Sequence, residues 1–232
     1  MVHEQAASAA HPAQTPRARR HDANVGRILD AAAQVVAAEG LDALSMSKLA
    51  DAVDYTPGAL YRYFDSKDAL LARLVERILG DVRAALADAT AALPARTSPL
   101  ARVAALAAAY REFARREPHR FGLLAMTMAE PRILLQERVH AQAVAVAVVA
   151  ALQPLAAALA AAATADLLAP GDATERTLCL FAMLHGVLQL PKLARHSPAT
   201  IDVDRLATAG TRALLVGWGA QPRNVTRALE ML

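Results

Sequence analysis

The segment from Ser45 to Lys67, SMSKLADAVDYTPGALYRYFDSK, restricts the fold more than any other part of the chain. Three of its hydroxyl residues, Ser45, Thr56 and Ser66, are each placed just ahead of a stretch with helical apolar spacing. Such residues cap helices because the side-chain oxygen accepts from an otherwise unpaired amide in the first turn. The helix after Ser45 carries Met46, Leu49, Ala50 and Val53 on one face and runs for only about two turns. Asp54-Tyr55 makes the break, since Asp tolerates left-handed geometry better than most residues with a Cβ. Thr56 caps a third helix with Pro57 at its first position, where a missing amide costs nothing. Helices this short are unstable alone. They must close a core with their neighbours, and two short helices about a tight break form a helix-turn-helix.

The rest of the chain supports an all-α architecture. It is 55 % hydrophobic over 232 residues, with alanine dominant and β-branched and aromatic residues sparse, which favours helix over strand. Asp22 is read as the cap of the first helix, carrying Ile28, Leu29, Ala32, Val35 and Val36, and Gly40 as its end. The fourth helix starts at Asp65 or Ser66 and extends to about Leu93. Further helices are expected at 99–116, 118–128, 131–152, 155–168, 173–195 and 202–217, punctuated by prolines. The division expected is a disordered basic tail (1–21), a helix-turn-helix domain (22–81), an effector-binding and dimerisation domain (82–218) and a C-terminal tail (219–232), with about nine helices in all.

Charge gives no broad basic face: residues 1–77 hold nine Lys/Arg against ten Asp/Glu, a net of −1. A nucleic-acid reading therefore rests on local placement. Four of the nine aromatic residues, Tyr55, Tyr61, Tyr63 and Phe64, lie within ten positions. Leu60 and Phe64 share the face of Leu49 and Val53 and belong to the core. Tyr61 and Tyr63 fall off that face and are expected to offer hydroxyls to phosphate, alongside Thr56 and the free amides at its helix N-terminus. Gly58 permits close approach to a groove. Lys67 stands in a first helical turn, where positive charge is unfavourable unless an external anion offsets it. Arg62 is the candidate able to contact guanine bidentately, with Tyr55, Pro57 and Ala59 beside it as further base readers.

These residues resemble a known family. The stretch LSMSKLADAVDYTPGALYRYFDSKDALLARLV is similar to the DNA-binding domain of TetR-family bacterial regulators, through Ser45, Thr56, Tyr61, Phe64, Ser66 and Lys67. The resemblance covers about residues 21–81. Asp54 replaces the glycine usual in the turn, and Tyr63 stands where His is common. The stretch LCLFAMLHGVLQLPKLARHS, with its His185-Gly186 pair, resembles a subgroup's penultimate long helix. The resemblance implies a cytoplasmic homodimer that binds a pseudo-palindromic operator and acts as a repressor released by a small hydrophobic effector. Half-sites would lie about 34–36 Å apart or slightly more. It implies neither cofactor nor metal. The DNA-binding set is Ser45, Tyr55, Thr56, Pro57, Gly58, Ala59, Tyr61, Arg62, Tyr63 and Lys67.

Effector-pocket candidates are the bulky or polar exceptions on alanine-rich helices: Phe113, Phe121, Met126, Met128, His140, Phe181, Leu184 and His185. Between Val139 and Ala165 no side chain is ionised, which favours a neutral ligand and also raises the question of a membrane span. Pro154, His140, Gln142 and Gln153 argue instead for a buried helix, and no membrane partner is expected. Leu178, Phe181, Leu184, Leu188, Leu206, Leu214 and Val216 are the expected dimer face. Cys179 is read as a small buried hydrophobe in a reducing compartment. Two other functions stay open: a DNA-binding architectural or constitutive regulator without an effector, and, more remotely, a helical-bundle enzyme. No phosphate loop, catalytic motif or metal-ligand spacing supports the enzyme.

Overall fold

The computed structural model describes residues 15–129, 137–197 and 200–231. Twelve α-helices and no strand occur among those residues. The first four are α1 (Pro16–Glu39), α2 (Met46–Ala52), α3 (Pro57–Leu60) and α4 (Lys67–Ala91). The capping residues that the sequence suggested at α2, α3 and α4 all act as caps. Ser45 Oγ accepts from Lys48 N at 3.2 Å, Thr56 Oγ1 from Ala59 N at 3.2 Å, and Ser66 Oγ from Ala69 N at 3.0 Å. Asp54 takes the left-handed conformation (φ 58°) in the break, and Gly40 a positive φ of 88° at the end of α1. Leu49, Val53, Leu60 and Phe64 are buried together with Ile28, Leu29 and Leu70. A fully buried leucine stabilises by about 1.5–3 kcal/mol, so Leu60→Ala alone would cost about 2–5 kcal/mol once the cavity is included.

The first helix departs from expectation. It starts at Pro16, not Asp22, with Thr15 Oγ1 accepting from Ala18 N at 3.2 Å. Thr-Pro supplies a cap and a pre-set φ in adjacent positions, a stronger start signal than a lone Asp. Residues 16–21, assigned to a tail, are helical.

The second half comprises α5 (Pro99–Arg116), α6 (Pro118–Ala129), α7 (Arg138–Ala151), α8 (Gln153–Thr164), α9 (Ala173–Val187), α10 (Pro191–His196), α11 (Val203–Gly217) and α12 (Pro222–Glu230). Three boundaries differ from the sequence reading. The helix expected over 131–152 is described only from Arg138; positions 131–136 lie outside the described residues. The helix expected over 173–195 ends at Val187, because Pro191 cannot continue it and opens α10 instead. The expected C-terminal tail contains α12, whose Val225 and Ala228 are buried against α5 and α11. Gly219 (φ 95°) reverses the chain ahead of α12, and Ala169 N donates to Trp218 O at 2.8 Å beside it.

The uncharged stretch 139–165 folds as α7 and α8, bent by 49° at the Leu152–Gln153 junction. Among the described residues no single helix is long and apolar enough to cross a membrane. Val144, Ala151, Leu155, Leu159 and Ala162 face the interior, where α7 packs on α4 and α8 on α5 and α9.

Candidate nucleic-acid interface and effector domain

The short α3 buries Leu60 and turns the opposite side outward. Thr56, Pro57, Gly58, Tyr61 and Arg62 are exposed, and Ala59 is half-buried between them. Tyr61 is 49 % exposed, unusual for a ring, and is free to lie along a backbone. Lys67 is half-buried at the first position of α4, one turn from this surface. Ser45 is exposed, with its hydroxyl engaged in the α2 cap. Exposed Thr56, Tyr61 and Arg62 therefore flank the N- and C-terminal ends of α3, with Lys67 opening the next helix.

The structure assigns two tyrosines to a different task. Tyr63 is half-buried; its hydroxyl accepts from Asn24 Nδ2 at 3.0 Å, and its ring stacks on His21 at 5.2 Å. Tyr55 stacks on Tyr63 at 6.0 Å and lies under the Arg27 guanidinium, also at 6.0 Å. Both rings pack the residues flanking α3 against α1, and because the Tyr63 hydroxyl only accepts from Asn24, its proton stays available to a phosphate. The same contact brings the first turns of α1, with exposed Arg17, Arg19 and Arg20, beside the α3 edge. That placement was invisible while those arginines were assigned to a tail. Asn24 also escaped the sequence reading, having no spacing that marks it.

In the second domain, five of the eight pocket candidates are buried together or nearby: Phe113, Phe121, Phe181, Leu184 and His185. They surround Tyr110, which the sequence reading passed over. The Tyr110 hydroxyl is 2.7 Å from His185 Nδ1. Phe121 and Phe181 hold their ring centroids 5.1 and 5.3 Å from that of His185. Burial pushes the imidazole down to about 4 and raises the Tyr110 phenol far above its ordinary value. Both groups are therefore neutral at pH 7.

The other three candidates do not join them. Met126 and Met128 are 41 % and 45 % exposed on the outer side of α6. His140 is half-buried on α7, with Nε2 3.3 Å from Glu137. Helical phase decides this, and a residue's bulk gives no information about phase. Cys179 is exposed on α9 rather than buried. The cleft that the 139–165 stretch helps line, with Val149, Leu152, Gln153 and Ala156, has no ionised side chain, whereas clefts elsewhere in this domain are charged. One of about 970 Å³ between α5 and α11 is lined by Arg111, Glu112, Arg115, Asp204, Arg205 and Arg212 among others. Arg111 pairs with Asp204 at 3.2 Å across it, and Arg115 and Arg116 hold the Glu112 carboxyl down to about 2. Among the described residues no cluster of three potential metal ligands occurs.

A helix-turn-helix head with an exposed recognition edge, carried by a long helix into a second helical bundle, defines a DNA-binding transcriptional regulator. Residues 28–74 match the family model of bacterial regulatory proteins of the tetR family, and residues 103–214 match that of a tetracyclin repressor-like C-terminal domain. The chain belongs to the TetR family of transcription factors and is not an enzyme. It is 37 % identical over 79 residues to the HTH-type transcriptional regulator BetI of Rhizobium meliloti (strain 1021), a match spanning 34 % of this chain and 37 % of that one. A protein with unknown function from Rhodococcus sp. RHA1 is similar in structure, at TM-score 0.65 and 27 % identity over 91 % of this chain and all of that one. SmeT, the repressor of the Stenotrophomonas maltophilia multidrug efflux pump SmeDEF, shares the fold at TM-score 0.60 and 22 % identity over 85 % of this chain and 91 % of its own.

Proposed function

We propose that the protein is a cytoplasmic, homodimeric repressor that leaves its operator when a small neutral, hydrophobic effector occupies the second domain. The observation that carries this reading is the position of α6, which packs at once on α1, α4 and α5. At one residue α6 contributes Phe121 to the ring cluster around His185. At the preceding residue it contributes Arg120, whose Nη1 is 2.9 Å from Asp81 Oδ2 on α4. Movement of the Phe121 ring is thus passed within one residue to the helix that carries the head. An effector works through this link only by its differential affinity for the two head positions.

Dimerisation is supported by the outer faces of α9 and α11. Leu178, Cys179, Ala182 and Gly186 lie exposed on α9, and Ala209, Ala213 and Val216 on α11. Small and apolar side chains in these rows suit close helix pairing about a two-fold axis. The dimer row differs from the one expected from sequence, since Phe181, Leu184 and Leu188 are buried within the subunit. Ser45, Thr56, Pro57, Gly58, Ala59, Tyr61, Arg62 and Lys67 form the operator-facing set, and Arg17, Arg19 and Arg20 extend it.

Selection of bound duplexes from a random pool, with sedimentation of the free protein, tests the reading. A pseudo-palindromic motif and a dimer at micromolar concentration are expected. A monomer, or selected duplexes without two-fold symmetry, would remove it.

A further inference from the structure

His185 Nε2 is the one buried side-chain nitrogen or oxygen among the described residues that has no hydrogen-bond partner. His185 itself is only 5 % exposed. An orphaned buried polar atom of this kind costs about 1–3 kcal/mol, so it calls for an explanation. Its neighbours sharpen the question. The C-terminal part is poor in aromatic residues, yet Tyr110, Phe121 and Phe181 converge on this one imidazole from three helices.

The proton arrangement follows from counting donors. If Tyr110 donates to Nδ1, the proton of the neutral ring sits on Nε2 and a single donor is orphaned. If Nδ1 donates instead, the Tyr110 hydroxyl proton and the Nε2 lone pair both lack partners. The first arrangement leaves fewer groups unpaired, and it makes Nε2–H a buried donor set among ring faces.

We propose that His185 Nε2, presented by the Tyr110–His185 pair and framed by Phe121 and Phe181, is the polar anchor for a neutral, apolar small molecule bearing a carbonyl, ether or hydroxyl oxygen. The inference rests on the effector reading above and specifies what that effector must offer. Charge is selected against on both sides. An anion would be buried without a counter-charge, since burial keeps the imidazole neutral, and a cation would meet no ionised acceptor on Tyr110. Neither Tyr110 nor His185 lines the charged clefts along α5 and α11 or along α4, α5 and α6. Since the rings fill the space around Nε2, the ligand enters by displacing one of them. Phe121 is the ring whose displacement also moves α6.

The test uses the full chain with acetophenone and benzyl alcohol as neutral oxygen-bearing probes, ethylbenzene as a match without oxygen, and benzoate as an anion. Binding is followed by the His185 side-chain 15N resonances and by thermal shift. Acetophenone or benzyl alcohol should perturb the Nε2 resonance and bind about tenfold tighter than ethylbenzene, with benzoate weakest. His185→Phe, which retains bulk, should abolish the preference for oxygen while retaining ethylbenzene binding. Should that variant fail to fold, the wild-type Nε2 resonance decides. No Nε2 response to either oxygen-bearing probe up to its solubility limit, tightest binding by benzoate, or an oxygen preference that survives His185→Phe would overturn the proposal. Operator release measured with the same probes separates the two readings. Binding at His185 without release defeats the repressor reading alone, and release by probes that leave Nε2 unperturbed defeats this one alone.

Discussion

Asn24 Nδ2 donates to the Tyr63 hydroxyl at 3.0 Å, tying the third turn of the first helix to the residues that follow the recognition helix. The bond spans 39 positions in sequence. Tyr63 thus braces the head through the acceptor side of its hydroxyl.

Tyr63→Phe should therefore lower the stability of the folded chain by about 0.5–1.5 kcal/mol, the net worth of one hydrogen bond. It should leave the affinity for DNA unchanged. Urea titration and the affinity for one duplex check both parts; weaker binding at unchanged stability would place the Tyr63 hydroxyl among the backbone contacts.

Arg62 is exposed in the turn that follows α3. Arg62→Ala should cost about 1–3 kcal/mol on the selected operator and relax preference at one base pair per half-site. Binding competition between operator and scrambled DNA is the measurement. Equal losses on the two would make Arg62 a phosphate contact.

Electrostatic anchoring should be shared between Lys67 and the start of α1. Lys67→Ala should reduce the magnitude of the salt slope by about one unit, and joint replacement of Arg17, Arg19 and Arg20 by Ala by about one to three more. A slope insensitive to the arginine replacements would return the α1 start to bulk solvent.

The His185 imidazole gives a pH signature. Its folded value, about 4, lies below the ordinary 6.5, so between those limits the unfolded chain binds more protons than the folded one. Stability from this group is complete above about pH 6.5 and falls as pH drops toward 4, by up to about 3 kcal/mol. Urea midpoints at pH 7 and pH 5 for wild type and His185→Phe provide the check. A wild-type decline that persists unchanged in His185→Phe would assign it to other groups.

The head was legible because its determinants are local. Ser45, Thr56 and Ser66 each cap an amide three positions on, and Asp54 needs only its own φ. The second domain was legible in class but not in detail. Pro191 marked the break after α9, yet the apolar residues on either side kept helical phase and masked it. The segment 222–230 showed Val225, Ala228 and Leu229 at helical spacing, but its arginines gave it the look of a solvated tail. Tyr110 was missed because its importance lies in a partner 75 positions away. No pattern read along the chain reveals which faces of α5, α6 and α9 meet.

The seating of α12 on α5 has a bearing on synthesis. Leu229 shares a small recess with Ala104, Ala107 and Ala108, more than a hundred positions earlier. While the chain is being made, the head can close as soon as α4 has left the ribosome. The bundle must wait with that face of α5 bare until residues 222–230 emerge, so its alanine-lined recess is exposed apolar surface for that interval.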